Sequence, residues 1–201
     1  MLMDKLLCEF YRKKIVMKGQ FTLKSGETSE YYINCRKLYE YPDVMRMVCT
    51  ELQKKIFKTE WVCGVPNGAT PFATTLSLLT DMPLMMLRKE KKEHGLARQI
   101  EAEYKKGDGV ILLEDVITTG SSLRKFEKML VEAGLKVHMK ICIINRGNVE
   151  GIESLIPINT VMSPPNILLP RMDKNIIWAA DVGTMKALFA DIEKYGPKIS
   201  V

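Results

Sequence analysis

The chain has 201 residues, 46% of them hydrophobic and 27% charged, a length and balance suited to one compact domain or one domain with a small extension. Apolar residues recur along nearly the whole chain with no polar or single-residue tract, which excludes a disordered chain, a collagen, a coiled coil or a mucin-like stalk. Lys and Arg number 30 against 24 Asp and Glu, a net charge of +6 that suits an anionic partner such as a nucleic acid, a membrane surface or a phosphorylated small molecule.

At the N-terminus, Asp4, Lys5, Glu9, Arg12, Lys13 and Lys14 interrupt any apolar signal core, so no secretory leader is expected. Apolar runs such as Leu84–Leu87 and Val110–Leu113 reach four residues, far short of the roughly 20 that a membrane-spanning helix needs. A cytosolic protein is expected. Five cysteines, Cys8, Cys35, Cys49, Cys63 and Cys142, form no CxxC and are joined by two histidines, which argues against both a zinc site and a disulfide framework. Reduced, packed thiols are the expectation.

After a short preamble, Val44, Met47, Val48, Leu52 and Ile56 follow helical spacing, with Pro42 placed to start the helix. Short apolar runs at 61–65, 84–87, 110–113 and 137–144 have the length of strands buried on both faces of a sheet. Between them, 72–79 reads as a helix, and so do Leu123, Phe126, Met129, Leu130 and Ala133, closed by Gly134. Strands alternating with helices predict an α/β fold with a mostly parallel, twisted sheet flanked by helices, in which ligands bind at the carboxyl ends of the strands.

One strand end is rich in chemistry. The run Val110–Leu113 is succeeded by Glu114, Asp115, Val116, Ile117, Thr118, Thr119, Gly120, Ser121 and Ser122. The small hydroxyl residues, a flexible Gly120 and backbone N–H groups at a helix start suit a phosphate. The two acids suit vicinal hydroxyls or a hydrated divalent cation. Alone, TGSS is as well explained by ordinary helix capping; the full string is much more specific. Arg88–Lys92 (RKEKK), the densest basic cluster, reads by itself as a solvated charge run.

The string VILLEDVITTGSS at 110–122 resembles the phosphoribosyl-pyrophosphate motif of the type I phosphoribosyltransferases. Three further stretches are similar to orotate phosphoribosyltransferases: FTLKSG at 21–26 with YYIN at 31–34 resembles their N-terminal hood, GVPNGATP at 64–71 their pyrophosphate loop, and RKEKKEHG at 88–95 their catalytic loop. The resemblance runs from about Phe10 to Arg146. It implies a type I phosphoribosyltransferase fold with a small β-containing hood in residues 1–160, a linker over 161–174 and a strand–helix extension over 175–201.

The reaction so implied joins orotate to phosphoribosyl pyrophosphate, giving orotidine 5'-monophosphate and pyrophosphate. In it Lys92, His94 and Asp115 would be catalytic, with Arg88 and Lys89 beside the pyrophosphate and the stretch from Gly95 to Gly107 able to move. Glu114 and Asp115 would hold the ribose hydroxyls, and Thr118, Thr119, Gly120, Ser121 and Ser122 the 5-phosphate. Lys24 would bridge base and pyrophosphate, Tyr31 and Tyr32 would lie beside the orotate ring, and Arg146, just past the last core strand, would meet its carboxylate. Mg²⁺ held mainly by substrate and water is the implied cofactor, and a homodimer with shared active sites the implied assembly, with no nucleic-acid or membrane partner.

Departures from the family pattern stand at Gly68, where bacterial enzymes carry a lysine, at Glu30, which replaces a common proline, and at Asn145, which replaces an aspartate. The first leans towards the bifunctional enzymes fused to orotidylate decarboxylase, and residues 175–182 (NIIWAADV) with the stretch to Val201 resemble the first strand and helix of that decarboxylase. A plain βα unit completing the transferase is the alternative for this tail. The alternatives for function are another purine or pyrimidine phosphoribosyltransferase, or a non-catalytic phosphoribosyl-pyrophosphate sensor acting on nucleic acid.

Overall fold

Strands that are apolar on both faces require helices on both sides of their sheet, and a computed structural model of the chain, which describes residues 2–22, 26, 28–90 and 99–162, has that arrangement. In chain order the elements are α1 (Leu2–Arg12), β1 (Val16–Thr22), β2 (Thr28–Ile33), a 3-10 helix (Cys35–Glu40), α2 (Pro42–Gln53), β3 (Trp61–Gly64), α3 (Thr70–Thr80) and β4 (Leu84–Leu87). Then come β5 (Ile100–Glu101), β6 (Gly109–Ile117), α4 (Ser121–Glu132), β7 (Lys136–Asn145), β8 (Glu153–Pro157) and α5 (Ile158–Met162). The 175–201 tail and all but the start of the 161–174 linker lie outside the described residues.

The main sheet runs β5-β4-β3-β6-β7-β8, parallel except for β5. Alternation along β6 assigns Ile111 and Leu113 to the cluster shared with α1, α2 and α3, and Val110 and Leu112 to the one shared with α4. All four are fully buried, each contributing about 1.5–3 kcal/mol by leaving water. From β3 the chain passes through α3 to β4 on one side; from β6 it passes through α4 to β7 on the other. The adjacent carboxyl ends of β3 and β6 therefore form the point where the winding reverses, the usual place for a ligand crevice.

Three elements differ from the sequence expectation. The preamble is a helix: Met3, Leu6, Leu7, Phe10 and Tyr11 fall on one face of α1 and join the core. The strand expected to end at Leu113 continues to Ile117, because β7 keeps pairing with it, Glu114 opposite Cys142 and Val116 opposite Ile144. Glu114 and Asp115 thus lie inside β6. Arg146 comes directly after β7, which is not the last strand, since β8 pairs beyond it.

The antiparallel β1–β2 hairpin is a separate small sheet. It is tied to the C-terminal end of the fold by two phenols: Tyr11 of α1 donates to the Val161 carbonyl, and Tyr31 of β2 to that of Met162 at 2.7 Å. All five cysteines are free and buried. Gly64 marks a close approach of β3 to the start of α3, where an added Cβ would stand 2.5 Å from the Ala69 carbonyl oxygen and 2.9 Å from the Thr70 nitrogen. Backbone cannot yield as a side-chain tip can, so Gly64→Ala is expected to lose about 1–3 kcal/mol, read as a lower urea midpoint with an unchanged slope.

Candidate active site

The crevice is built from the loop after β3 and the carboxyl end of β6. Beyond Gly64, the Val65 N–H donates to the Leu113 carbonyl at 2.9 Å and the Ala69 N–H to that of Val65 at 3.0 Å, closing a tight loop in which the Pro66–Asn67 peptide is cis. Gly68 lies directly against Asp115: a Cβ there would be 2.7 Å from Oδ2 and 2.9 Å from Cγ. A side chain at 68 would displace that carboxylate, which gives the departure at this position a local reason. The Tyr39 hydroxyl, from the 3-10 helix, donates to the Gly68 carbonyl. Burial first, then the Asp115 charge, push this phenol up to about 12, so it stays a donor at neutral pH.

Glu114 is 7% exposed, one of two buried polar side chains among the described residues. Burial, then its hydrogen bond with Asp115 and the charge of that neighbour, push the Glu114 carboxyl up from 4.5 to about 8. The Asp115 N–H, 3.2 Å from Glu114 Oε1, and the Arg36 guanidinium oppose this in part. Glu114 therefore holds its proton more tightly than an ordinary glutamic acid, and in that form it can donate as well as accept. Beneath the acids lie the buried thiols of Cys35 and Cys142, the latter raised to about 12 by burial and then by Glu114.

Past Ile117 the chain turns through Thr118 and Thr119, both exposed, to Gly120, which caps α4 in the left-handed conformation (φ 73°) without a side-chain cap bond. Thr119 Oγ1 donates to Ser121 Oγ at 3.1 Å and lies 3.4 Å from the Ser121 nitrogen. Ser121 and Ser122 are exposed. Four hydroxyls thus surround the N–H groups of a helix start, an arrangement that attracts a phosphate.

Arg146 borders the same loop. Its N–H and that of Gly147 both donate to the Ile117 carbonyl, at 2.8 and 3.1 Å, and a Cβ on Gly147 would stand 1.7 Å from the Thr118 oxygen. Asn145, 8% exposed, donates through Nδ2 to the Val149 carbonyl at 2.8 Å and accepts the Val149 N–H at 3.0 Å. An aspartate could only accept, so the amide is what closes this turn in both directions.

The hood requires one correction. Tyr31 and Tyr32 are neighbours on a strand and so point to opposite faces. Tyr31 is 7% exposed and packs in the core with its hydroxyl committed to Met162; it is not placed to stack on a ligand. Tyr32 is 41% exposed and lies 5.5 Å from the Phe21 ring. Glu30, on the same strand, is exposed.

On the other side of the crevice, β4 leads into Arg88, which donates through Nε to Glu101 Oε1 at 2.5 Å while its N–H reaches the Gln99 carbonyl at 2.9 Å. Lys89 is exposed. Lys24, Lys92 and His94 lie outside the described residues. Sequence reasoning missed Arg36 and Tyr39, whose nearness to the acids depends on the 3-10 helix folding against β6.

Comparison with known proteins agrees with this geometry. Residues 40–167 match the family model described as "Phosphoribosyl transferase domain". The orotate phosphoribosyltransferase of Pyrococcus furiosus is 40% identical over 156 residues, covering 75% of this chain and 86% of that one. The protein of the same name from Caenorhabditis elegans is 36% identical, covering 68% and 62%. Among solved structures, orotate phosphoribosyltransferase from Aeropyrum pernix superposes with a TM-score of 0.69 at 28% identity, covering 79% of this chain and 96% of that one. Leishmania donovani UMP synthase gives a TM-score of 0.69 at 30% identity, with 79% of this chain but 37% of that one covered.

The Glu114 carboxyl makes a test. A group whose pKa is higher in the folded than in the unfolded state contributes stability below the unfolded value and loses it as pH rises through the folded one. The unliganded protein is expected to lose stability from this source between about pH 4.5 and 8, and Glu114→Gln to flatten that part of the profile. Urea midpoints of both proteins across the range would show it; identical profiles would assign the titration to another group.

Proposed function

The chain belongs to the phosphoribosyltransferases, among the orotate phosphoribosyltransferases, and from that premise we propose how its own residues transfer phosphoribosyl from phosphoribosyl pyrophosphate to orotate. The observation that carries the reading is the meeting of two loops at the reversal point: the Asp115 carboxylate lies on the Gly68 backbone, and β6 runs on into the hydroxyl-lined start of α4. Asp115 and Glu114 together hold the two ribose hydroxyls. Thr118, Thr119, Gly120, Ser121 and Ser122 receive the 5-phosphate, and the loop from Val65 to Ala69 receives the pyrophosphate.

Bond breaking leaves pyrophosphate strongly anionic and the sugar carbon cationic, so fixed cations that meet the leaving group lower the barrier most. Lys89, Lys92 and His94 supply them, and Arg88 does so on release from Glu101. Arg146 pairs with the orotate carboxylate by the forked geometry of a guanidinium, Lys24 bridges base and pyrophosphate, and Tyr32 covers the ring. No group of three or more metal-ligating side chains occurs among the described residues. One or two carboxylates with substrate phosphates and water is the usual setting for Mg²⁺, and the acidic pair fits it. When bound, the ion neutralises charge on the pyrophosphate.

We extend the proposal to a homodimer in which the 88–95 loop of one subunit completes the other's site, to a cytoplasmic location, and to a 175–201 tail related to the first strand and helix of orotidylate decarboxylase.

Offered orotate, uracil, hypoxanthine and adenine with phosphoribosyl pyrophosphate and Mg²⁺, the protein is expected to consume orotate alone. Turnover of hypoxanthine instead would refute the base assignment. In a second experiment Lys92→Ala and Asp115→Asn are each expected to lose most of kcat, and their mixture to regain activity, because one hybrid site pairs an intact Asp115 with an intact loop. Heterodimers that form without recovery would exclude loop sharing.

A further inference from the structure

The phosphate loop is held from outside by a side chain that neither the motif nor the family match singles out. Arg124, one turn into α4, is exposed and makes no ion pair among the described residues. Its side chain folds back along the helix instead, and Nη2 donates to the Thr119 carbonyl at 2.7 Å. Nη1 lies 2.9 Å from where a Cβ on Gly120 would stand, with Val149 Cγ1 at 3.3 Å. Gly120 is thereby sandwiched between the guanidinium and the turn that Asn145 closes.

An anion cradle needs its N–H groups converging and its carbonyls turned aside, because a carbonyl oxygen facing the phosphate opposes it. The Thr119 carbonyl belongs to the peptide that leads into the left-handed Gly120, and no side chain caps the helix there. A charge-assisted bond from a planar, rigid guanidinium commits that oxygen to one direction.

We propose that Arg124 is a positioning residue for phosphoribosyl-pyrophosphate binding: by holding the Thr119 carbonyl it keeps the 118–120 backbone in its phosphate-receiving shape before the substrate arrives. The proposal rests on the function assigned above, and the residue acts through its geometry more than through its charge.

The 201-residue chain, with Arg124→Lys and Arg124→Met variants, tests it by steady-state kinetics and by calorimetric titration with phosphoribosyl pyrophosphate and Mg²⁺. Both variants are expected to raise KM and Kd for that substrate roughly tenfold, the size of one charged hydrogen bond, with kcat and the KM for orotate within about twofold. A lysine keeps the charge but lacks the fork, so it should not rescue. Amide exchange at 119–121 should quicken in the unliganded variants and match the parent protein once substrate is bound, which a mere loss of charge would not produce. Lysine behaviour equal to the parent protein, or variants with unaltered affinity, would overturn the proposal. Failure of the parent protein itself to bind phosphoribosyl pyrophosphate or turn over orotate would instead overturn the functional reading.

Discussion

The site depends on β3 and β6 lying side by side in parallel, Trp61 opposite Val110 and Gly64 opposite Leu113. These strands are separated in sequence by a helix, two strands and the 88–95 loop, and what joins them is burial of both faces. Once that register is set, β3 ends beside Leu113 while β6 runs on, and the loop after β3 passes against the acids that follow Leu113. The intimate contact of Gly68 with Asp115 is the result. A shift of one residue would turn Ile111 and Leu113 to the opposite helix layer, so the alternation that builds the core also sets the position of the carboxylates.

Electrostatically the site is arranged by separation. The acids are consecutive, Glu114 is buried, and burial together with the Asp115 charge raises the Glu114 carboxyl above the usual carboxylate range, which disfavours two full negative charges side by side. The positive elements come from elsewhere: Arg36 from the 3-10 helix, Arg88 from the end of β4, Arg146 from the turn after β7. Arg88 is paired with Glu101 and Arg146 is mounted on the Ile117 carbonyl, so the cations are held by neighbours and are not brought together solely by the substrate. The Arg146 backbone is thereby fixed beforehand, in keeping with charge that acts without reorganisation, whereas Arg88 would first have to leave Glu101.

Much of this is legible in the chain. Both-face apolar runs mark β3, β4, β6 and β7, and helical spacing marks α2, α3 and α4, because their burial is continuous enough to override local propensity. The acidic pair breaks the run at Leu113, although the strand goes on, since a polar residue at a sheet's end is still paired by its backbone. The 3.6-residue spacing of Met3, Leu6, Leu7, Phe10 and Tyr11 is present in the sequence, yet the charges between them, which argue against a leader, also mask the helix. β5, with two residues, and β8, ending at Pro157, carry too little pattern to stand out. Strict alternation separates Tyr31 from Tyr32, a signal that the family resemblance overrides. Arg36, Tyr39 and Arg124 are out of reach, because each acts by tertiary placement and not by motif.

The two phenols on α5 bear on the order in which the molecule can be finished. Tyr11 and Tyr31 lie 150 and 131 residues from the carbonyls they hold, so the first elements made are among the last to be secured. During synthesis the hairpin that carries Tyr32 has no carboxyl-terminal partner until residues 161 and 162 have left the ribosome, on the order of ten seconds later. Closing a span of that length costs little more entropy than closing one half as long, since the penalty grows only with its logarithm. The delay is one of time, then: the contacts of Tyr11 and Tyr31 with residues 161 and 162 can form only after every strand of the central sheet has been synthesised.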